Sequence, residues 1–153
     1  MIRFWIQTIC DKLFGHTQSA SDETPDWSHV PKTLDEAVSQ LIKDNESNEE
    51  MKALLALAKG ESSFISHIHI FGGMKMRNDW GFWHYENPSD LARWFHDRGI
   101  FHAEDMSCIV YRTFYRRMKG EEEKVDEQIE ELRQYWRDQG INPDKLFEGA
   151  SSA

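Results

Sequence analysis

The sequence predicts an all-α fold, a compact multi-helix single domain preceded by an amphipathic arm helix. Three observations lead there. Apolar residues return at three- and four-residue intervals in segment after segment, the spacing of one helix face. Residues that start and stop helices flank those segments. Only the run at 64–71, FISHIHIF, has β-branched, alternating character, and no second run of that kind exists to pair with it. A chain of 153 residues with six tryptophans and nine phenylalanines can bury one core, whereas two half-length domains would each be marginal.

In chain order, Ile2, Trp5, Ile6, Ile9 and Leu13 form one face of a short helix over residues 1–15, stopped at Gly15. The polar residues 16–30 read as a linker, which sets this arm apart from a helical body at 31–139. Three uses of the arm stay open: docking on the body, contact with a partner or a membrane surface, and no ordered contact. Thr33-Leu-Asp-Glu36 fits a capping box, in which hydroxyl and carboxylate satisfy N–H groups at a helix start. Leu34, Ala37, Val38, Leu41 and Ile42 continue that helix. The polar stretch DNESNE at 44–49 breaks it. A second helix over 50–58 carries Met51, Leu54, Leu55 and Leu57 and is closed by Gly60.

Residues 62–79 have divided propensity, and the missing strand partner decides for helix. Phe64, Ile68 and Phe71 then share a face, with Gly72-Gly73 as a weak point. Residues 80–88, WGFWHYENP, form an aromatic turn. Ser89 caps a helix over 90–98 with Leu91, Trp94 and Phe95 inward and Gly99 as its stop. A strongly amphipathic helix follows at 104–118, with Met106, Ile109, Val110, Phe114 and Met118 on one face. The last helix is expected over 121–139, docking through the narrow seam Val125, Ile129, Leu132 and Trp136. Gly140 ends it, and 140–153 is a tail.

Charge narrows the partners. The net charge is −9, and it is uneven: residues 121–139 hold eight acids against three bases, while 75–119 hold eight bases against six acids. Direct nucleic-acid binding is not expected, because it needs clustered Lys and Arg to displace counterions. The basic, aromatic stretch 111–119, YRTFYRRMK, sits beside that acidic helix, and charge-paired helix packing is its reading. Two cysteines, Cys10 and Cys108, lack the spacing of a disulfide framework or a zinc site. His67 and His69 would point about 200° apart on a helix and would not share an ion. No metal and no cofactor is therefore expected. No run approaches the roughly 20 apolar residues of a membrane span, and the first residues lack a cleavage signal, so the cytoplasm is the default location.

The candidate chemistry lies in the segment from His69 to Trp83. On a helix His69, Gly73 and Arg77 fall four apart and form one stripe. Asn78 then lies at the helix end, as a cap or a left-handed residue. Gly81 suits a turn with positive φ, and Trp80 and Trp83 close over the apolar side. The pattern H-x3-G-x3-R-N-x2-G-x-W resembles the core motif of a family of small, uncharacterised helical domains of bacteria and phages. Pro31-Lys-Thr-Leu-Asp-Glu-Ala37-Val is similar to that family's P-x-T-L-x-E-A-V opening. His102-Ala-Glu-Asp105 is similar to its H-P-D-D segment, with Ala103 in place of proline. The likeness spans residues 31–118. It implies a shared fold and shared polar positions at His69, Arg77, Asn78 and His102, and it implies no activity.

Two functional classes follow. One is an acidic helical interaction protein that binds and modulates another macromolecule, as an immunity-like protein or a phage-encoded inhibitor of a host system does. Its partner is a basic protein surface or a second copy of this chain, met by Glu123, Glu127, Glu130 and Glu131. The other is an enzyme or small-anion site using His69, Arg77, Asn78, Trp83 and His102. No catalytic residue is assigned, because no nucleophile stands beside an orienting base in any recognisable motif. Nucleic-acid mimicry by the acidic helices is a weaker third reading. The polar cluster also has a purely structural account, with Arg77 bracing helix ends through carbonyls and His69 a satisfied core histidine.

Overall fold

A computed structural model describes residues 24–146; the arm helix at 1–15 and the first part of the linker lie outside the described residues. Every regular element among the described residues is helical. The chain runs through α1 (Leu34–Asp44), α2 (Glu49–Leu57), α3 (Glu61–Ile68), a π-helical turn (His69–Gly73), α4 (Met74–Asp79), α5 (Asp90–His96), α6 (Ala103–Lys119) and α7 (Val125–Asp138), ending in a 3-10 turn (Pro143–Lys145).

Helix α6 is the axis of the fold: α1, α3, the π turn, α4 and α7 all pack against it. Its long buried face, with Met106, Ile109, Val110 and Phe114, meets Ala37, Val38 and Leu41 of α1, Phe64 of α3, and Phe82, Leu91 and Phe95 around α5 in one core. A smaller cluster joins Tyr85, Phe101 and Trp136, with Ile141 and Leu146 from beyond α7 packed on it. Trp27 and Val30, assigned to the linker by sequence, also pack on the main core.

The caps act as their residue types predict. The Thr33 hydroxyl accepts the Glu36 amide, while the Glu36 carboxylate reaches back to the Lys32 amide, one residue before the expected target. Ser89 accepts from the Ala92 amide. Gly60 does not close α2; that helix stops at Leu57, and Gly60, at φ 147°, is the N-cap of α3.

Three expectations about faces are corrected. Residues 121–124 are not helical: Gly120 ends α6 in the left-handed conformation, and α7 starts only after Lys124, itself at φ 50°. Met118 is half-exposed, because it lines an open groove between α1, α2 and α6. Phe71 does not join Phe64 and Ile68; it is 77% exposed. The cause is the π turn, whose i→i+5 closure accommodates an extra residue and rotates the following chain out of α-helical phase. In exchange, Gly72 and Gly73 turn towards α6. A Cβ on Gly72 would lie 2.7 Å from the Tyr111 hydroxyl, and one on Gly73 would lie 2.7 Å from Arg77 Nη1. Gly72 thus permits close approach to α6, and Gly73 leaves room for the Arg77 guanidinium.

Candidate functional site

The polar motif is divided by the fold into a buried brace and an exposed remainder. Arg77 is 6% exposed and donates from Nη1 to the Ser107 hydroxyl at 3.1 Å. Ser107 in turn donates to the Glu104 carbonyl at 3.0 Å. From the other side, Nδ1 of His102 accepts the Glu104 amide at 3.3 Å, which in the neutral ring places the proton on Nε2. Arg77 and His102 thus converge on one residue in the first turn of α6, whose N–H has no helical partner and is met by His102. Trp83 stands edge-on to the His102 ring at 5.7 Å.

This corrects the expected brace: among the described residues Arg77 reaches a carbonyl through a serine hydroxyl, which sequence reasoning did not single out. His69 is half-buried beside Gly73, and the π turn takes it off any simple four-residue stripe with Arg77. Asn78 neither caps nor turns left-handed; it is exposed within α4.

The brace has little chemical scope. The space between His69, Gly73, Ser107, Cys108 and Tyr111 leaves no room for a water molecule. Burial pushes the Cys108 thiol up to about 11 and the Tyr111 hydroxyl up to about 12, so neither is ionised near neutral pH. Burial also lowers the Arg77 pKa, against the opposing pull of Glu104 and Tyr111. Among the described residues no three His, Cys, Asp or Glu side chains are placed to hold a metal ion. Arg77→Ala is expected to lower stability by about 1–3 kcal/mol, the cost of disturbing a buried hydrogen-bonded group. A thermal melt identical to wild type would sink that assignment.

The charged surfaces are largely paired within the chain. The arginines of α6 are consumed internally: Glu61 takes Arg112 and Arg116, both at 3.0 Å, and Arg117 pairs with Asp35 and Glu123. Of the four acids nominated as a partner surface, Glu123 faces Arg117, Glu131 faces Arg112, Glu130 faces Arg137 and Arg133, and Glu127 lies 3.7 Å from Lys124. Their field outward is partly cancelled.

A more open acidic region lies elsewhere. Ile42 of α1, Met51 and Leu55 of α2, and Phe114 and Met118 of α6 line an apolar groove of about 260 Å³. Asn45, Glu46 and Lys52 also line it; Asp44, Glu49 and Glu50 are neighbours of these residues in the chain, Glu121 and Glu122 follow Met118, and all six acids are exposed. The cations in these stretches are Lys43, Lys52, Arg116, Arg117 and Lys119, of which Lys52 pairs with Glu49, Arg116 with Glu61, Arg117 with Asp35 and Glu123, and Lys119 is tied to the Leu55 carbonyl. The sequence signal was present in two methionines beside acidic turns, but Met118 read as core.

The family model described as a domain of unknown function, DUF6794, matches residues 30–118, and the chain belongs to that family. The matched stretch includes the Arg77–Ser107 brace and the groove and ends before α7. Comparison with curated proteins and with solved structures returns no match.

Proposed function

We propose, since the family's description carries no activity, that this domain is a protein-interaction module that binds a basic, amphipathic segment of another macromolecule and modulates it. An immunity-like protein or a phage-encoded inhibitor of a host system acts in this way. The observation that carries the reading is the methionine-lined groove with its acidic border. Methionine side chains are unbranched and polarizable and adapt to varied apolar partners. Glu46 at an apolar slot, with five more exposed acids in the adjoining chain segments, favours an aliphatic face flanked by Lys or Arg. A second copy of this chain brings the same acidic border and is repelled, so a basic partner fits better than self-association.

The test uses the full chain as bait in extract of its native host, beside Met118→Lys. Met118 is 46% exposed, so lysine there is tolerated by the fold while placing an ammonium inside the slot. The expected result is a stoichiometric protein captured by wild type, bound at least about tenfold more weakly by the variant, a difference worth about 1.4 kcal/mol. Its association should slow as salt rises and the screening length drops below about 8 Å. Capture undiminished by Met118→Lys and insensitive to salt overturns the proposal. A bound metabolite in native mass spectra, with no protein partner, turns the question to the anion-site alternative.

A further inference from the structure

The helix that holds the brace has a second, outer face. Ile70, Phe71 and Met74 are 61, 77 and 51% exposed and are neighbours on the π turn and the start of α4. Contiguous apolar surface of this kind is uncommon on a chain that is otherwise well packed, and single scattered residues such as Leu57 or Tyr135 do not compare with it. The polar groups flanking it are His67, which faces the Ser63 carbonyl, and Lys75, which is paired with Asp79. Neither places an unmatched charge against an apolar occupant.

The described chain begins beside this same helix. His29 Nε2 lies 3.0 Å from the Asp79 carbonyl at the end of α4, and the Trp27 ring packs against Gly81 and His84. From Asp79 back to Ile70 is about 14 Å at 1.5 Å per helical residue. Thirteen residues separate Leu13 from Trp27, and a chain of that length spans up to about 40 Å. Ile2, Trp5, Ile6, Ile9 and Leu13, spaced for a single helix face, are therefore tethered within easy reach of Ile70, Phe71 and Met74. A tether of this kind supplies an effective concentration in the millimolar range, which a free partner must exceed.

We propose that the N-terminal segment, residues 2–13, docks its apolar face intramolecularly on the patch formed by Ile70, Phe71 and Met74. The site is separate from the acid-bordered groove, and its test needs no external partner, so the two readings stand or fall independently.

Cys10 borders the apolar face of that segment and can carry a nitroxide label, whereas Cys108 is part-buried and un-ionised; mass spectrometry verifies single labelling of the full chain. In the ¹⁵N-labelled, spin-labelled chain, the amide signals of residues 70–75 should lose most of their intensity relative to the reduced label, while those of Arg133 to Asp138 keep theirs. Phe71→Asp, a change at an exposed position, should restore the signals, and so should Ile6→Asp. Intensities at 70–75 that match the reduced control overturn the proposal. So does loss that persists in Phe71→Asp, loss seen when spin-labelled unlabelled chain is mixed with ¹⁵N chain lacking the label, which assigns the patch to a second copy, or loss that requires anionic phosphatidylserine vesicles, which assigns the segment to a membrane surface.

Discussion

Gly81→Ala is expected to lower the unfolding free energy by about 2–5 kcal/mol, from two costs that add. Gly81 has φ 69°, where an L-residue pays about 1–2 kcal/mol for its Cβ. That Cβ would also lie 2.6–2.9 Å from three atoms of the Trp27 indole. The ring cannot simply swing away, because its Nε1 donates to the Asn87 carbonyl at 2.8 Å and its face meets His84. Overpacking of this kind costs about 1–3 kcal/mol. Gly120→Ala supplies the control: it shares φ 69° but has nothing within 4 Å of the new Cβ. Urea denaturation of both variants should therefore show a clearly larger loss at Gly81. Equal losses would mean that the close packing of Gly81 against Trp27 contributes nothing to stability.

The second large effect concerns Asp105→Asn and depends on pH. The Asp105 carboxylate accepts the Trp136 indole N–H at 2.7 Å and is raised to about 6, chiefly by burial, with the Trp136 bond opposing and Glu104 adding to the rise. The folded pKa exceeds the unfolded value, so the fold favours the protonated acid. Its stabilising contribution is full below about pH 4 and is lost as pH rises through 6. A rise of about two pKa units corresponds to roughly 3 kcal/mol at most. Asparagine keeps an oxygen for Trp136 and removes the ionisation. At pH 4.5 the two proteins should have similar stability, and by pH 8 the asparagine variant should be the more stable by about 1–3 kcal/mol. Parallel stability profiles from pH 4.5 to 8 would show that Asp105 ionises without penalty.

The helices and most of their caps were legible because they depend on near neighbours in the chain. Thr33, Ser89 and Gly99 act within a few residues of themselves, and the apolar face of α6 repeats often enough to define its phase. The charge pairing of Arg112, Arg116 and Arg117 was legible in kind, since an acidic frame around a basic helix leaves few other arrangements. The π turn was not, because a break in phase is invisible to any rule that assumes constant phase; Phe71 was placed inside on that assumption. Ser107 escaped notice for another reason. A serine in mid-helix carries no local signal, and its role comes from Arg77, thirty residues earlier in the chain. The groove around Met118 is lined jointly by α1, α2 and α6, a property of the assembly rather than of any one segment.

The wide turn at His69–Gly73 stands one residue away from an ordinary helix, and that proximity has its own consequence. Substituting Phe71 or Met74 alters the character of a surface that stays where it is. Removing one residue after Phe71, at Gly72 or Gly73, would instead regularise the helix with Phe71 seven residues from Phe64 and so on the same face, and it would take away one of the paired glycines. Which side chains face outward here is thus set by chain length more than by composition. Insertion and deletion, rather than point replacement, are the changes to which this part of the molecule is most sensitive.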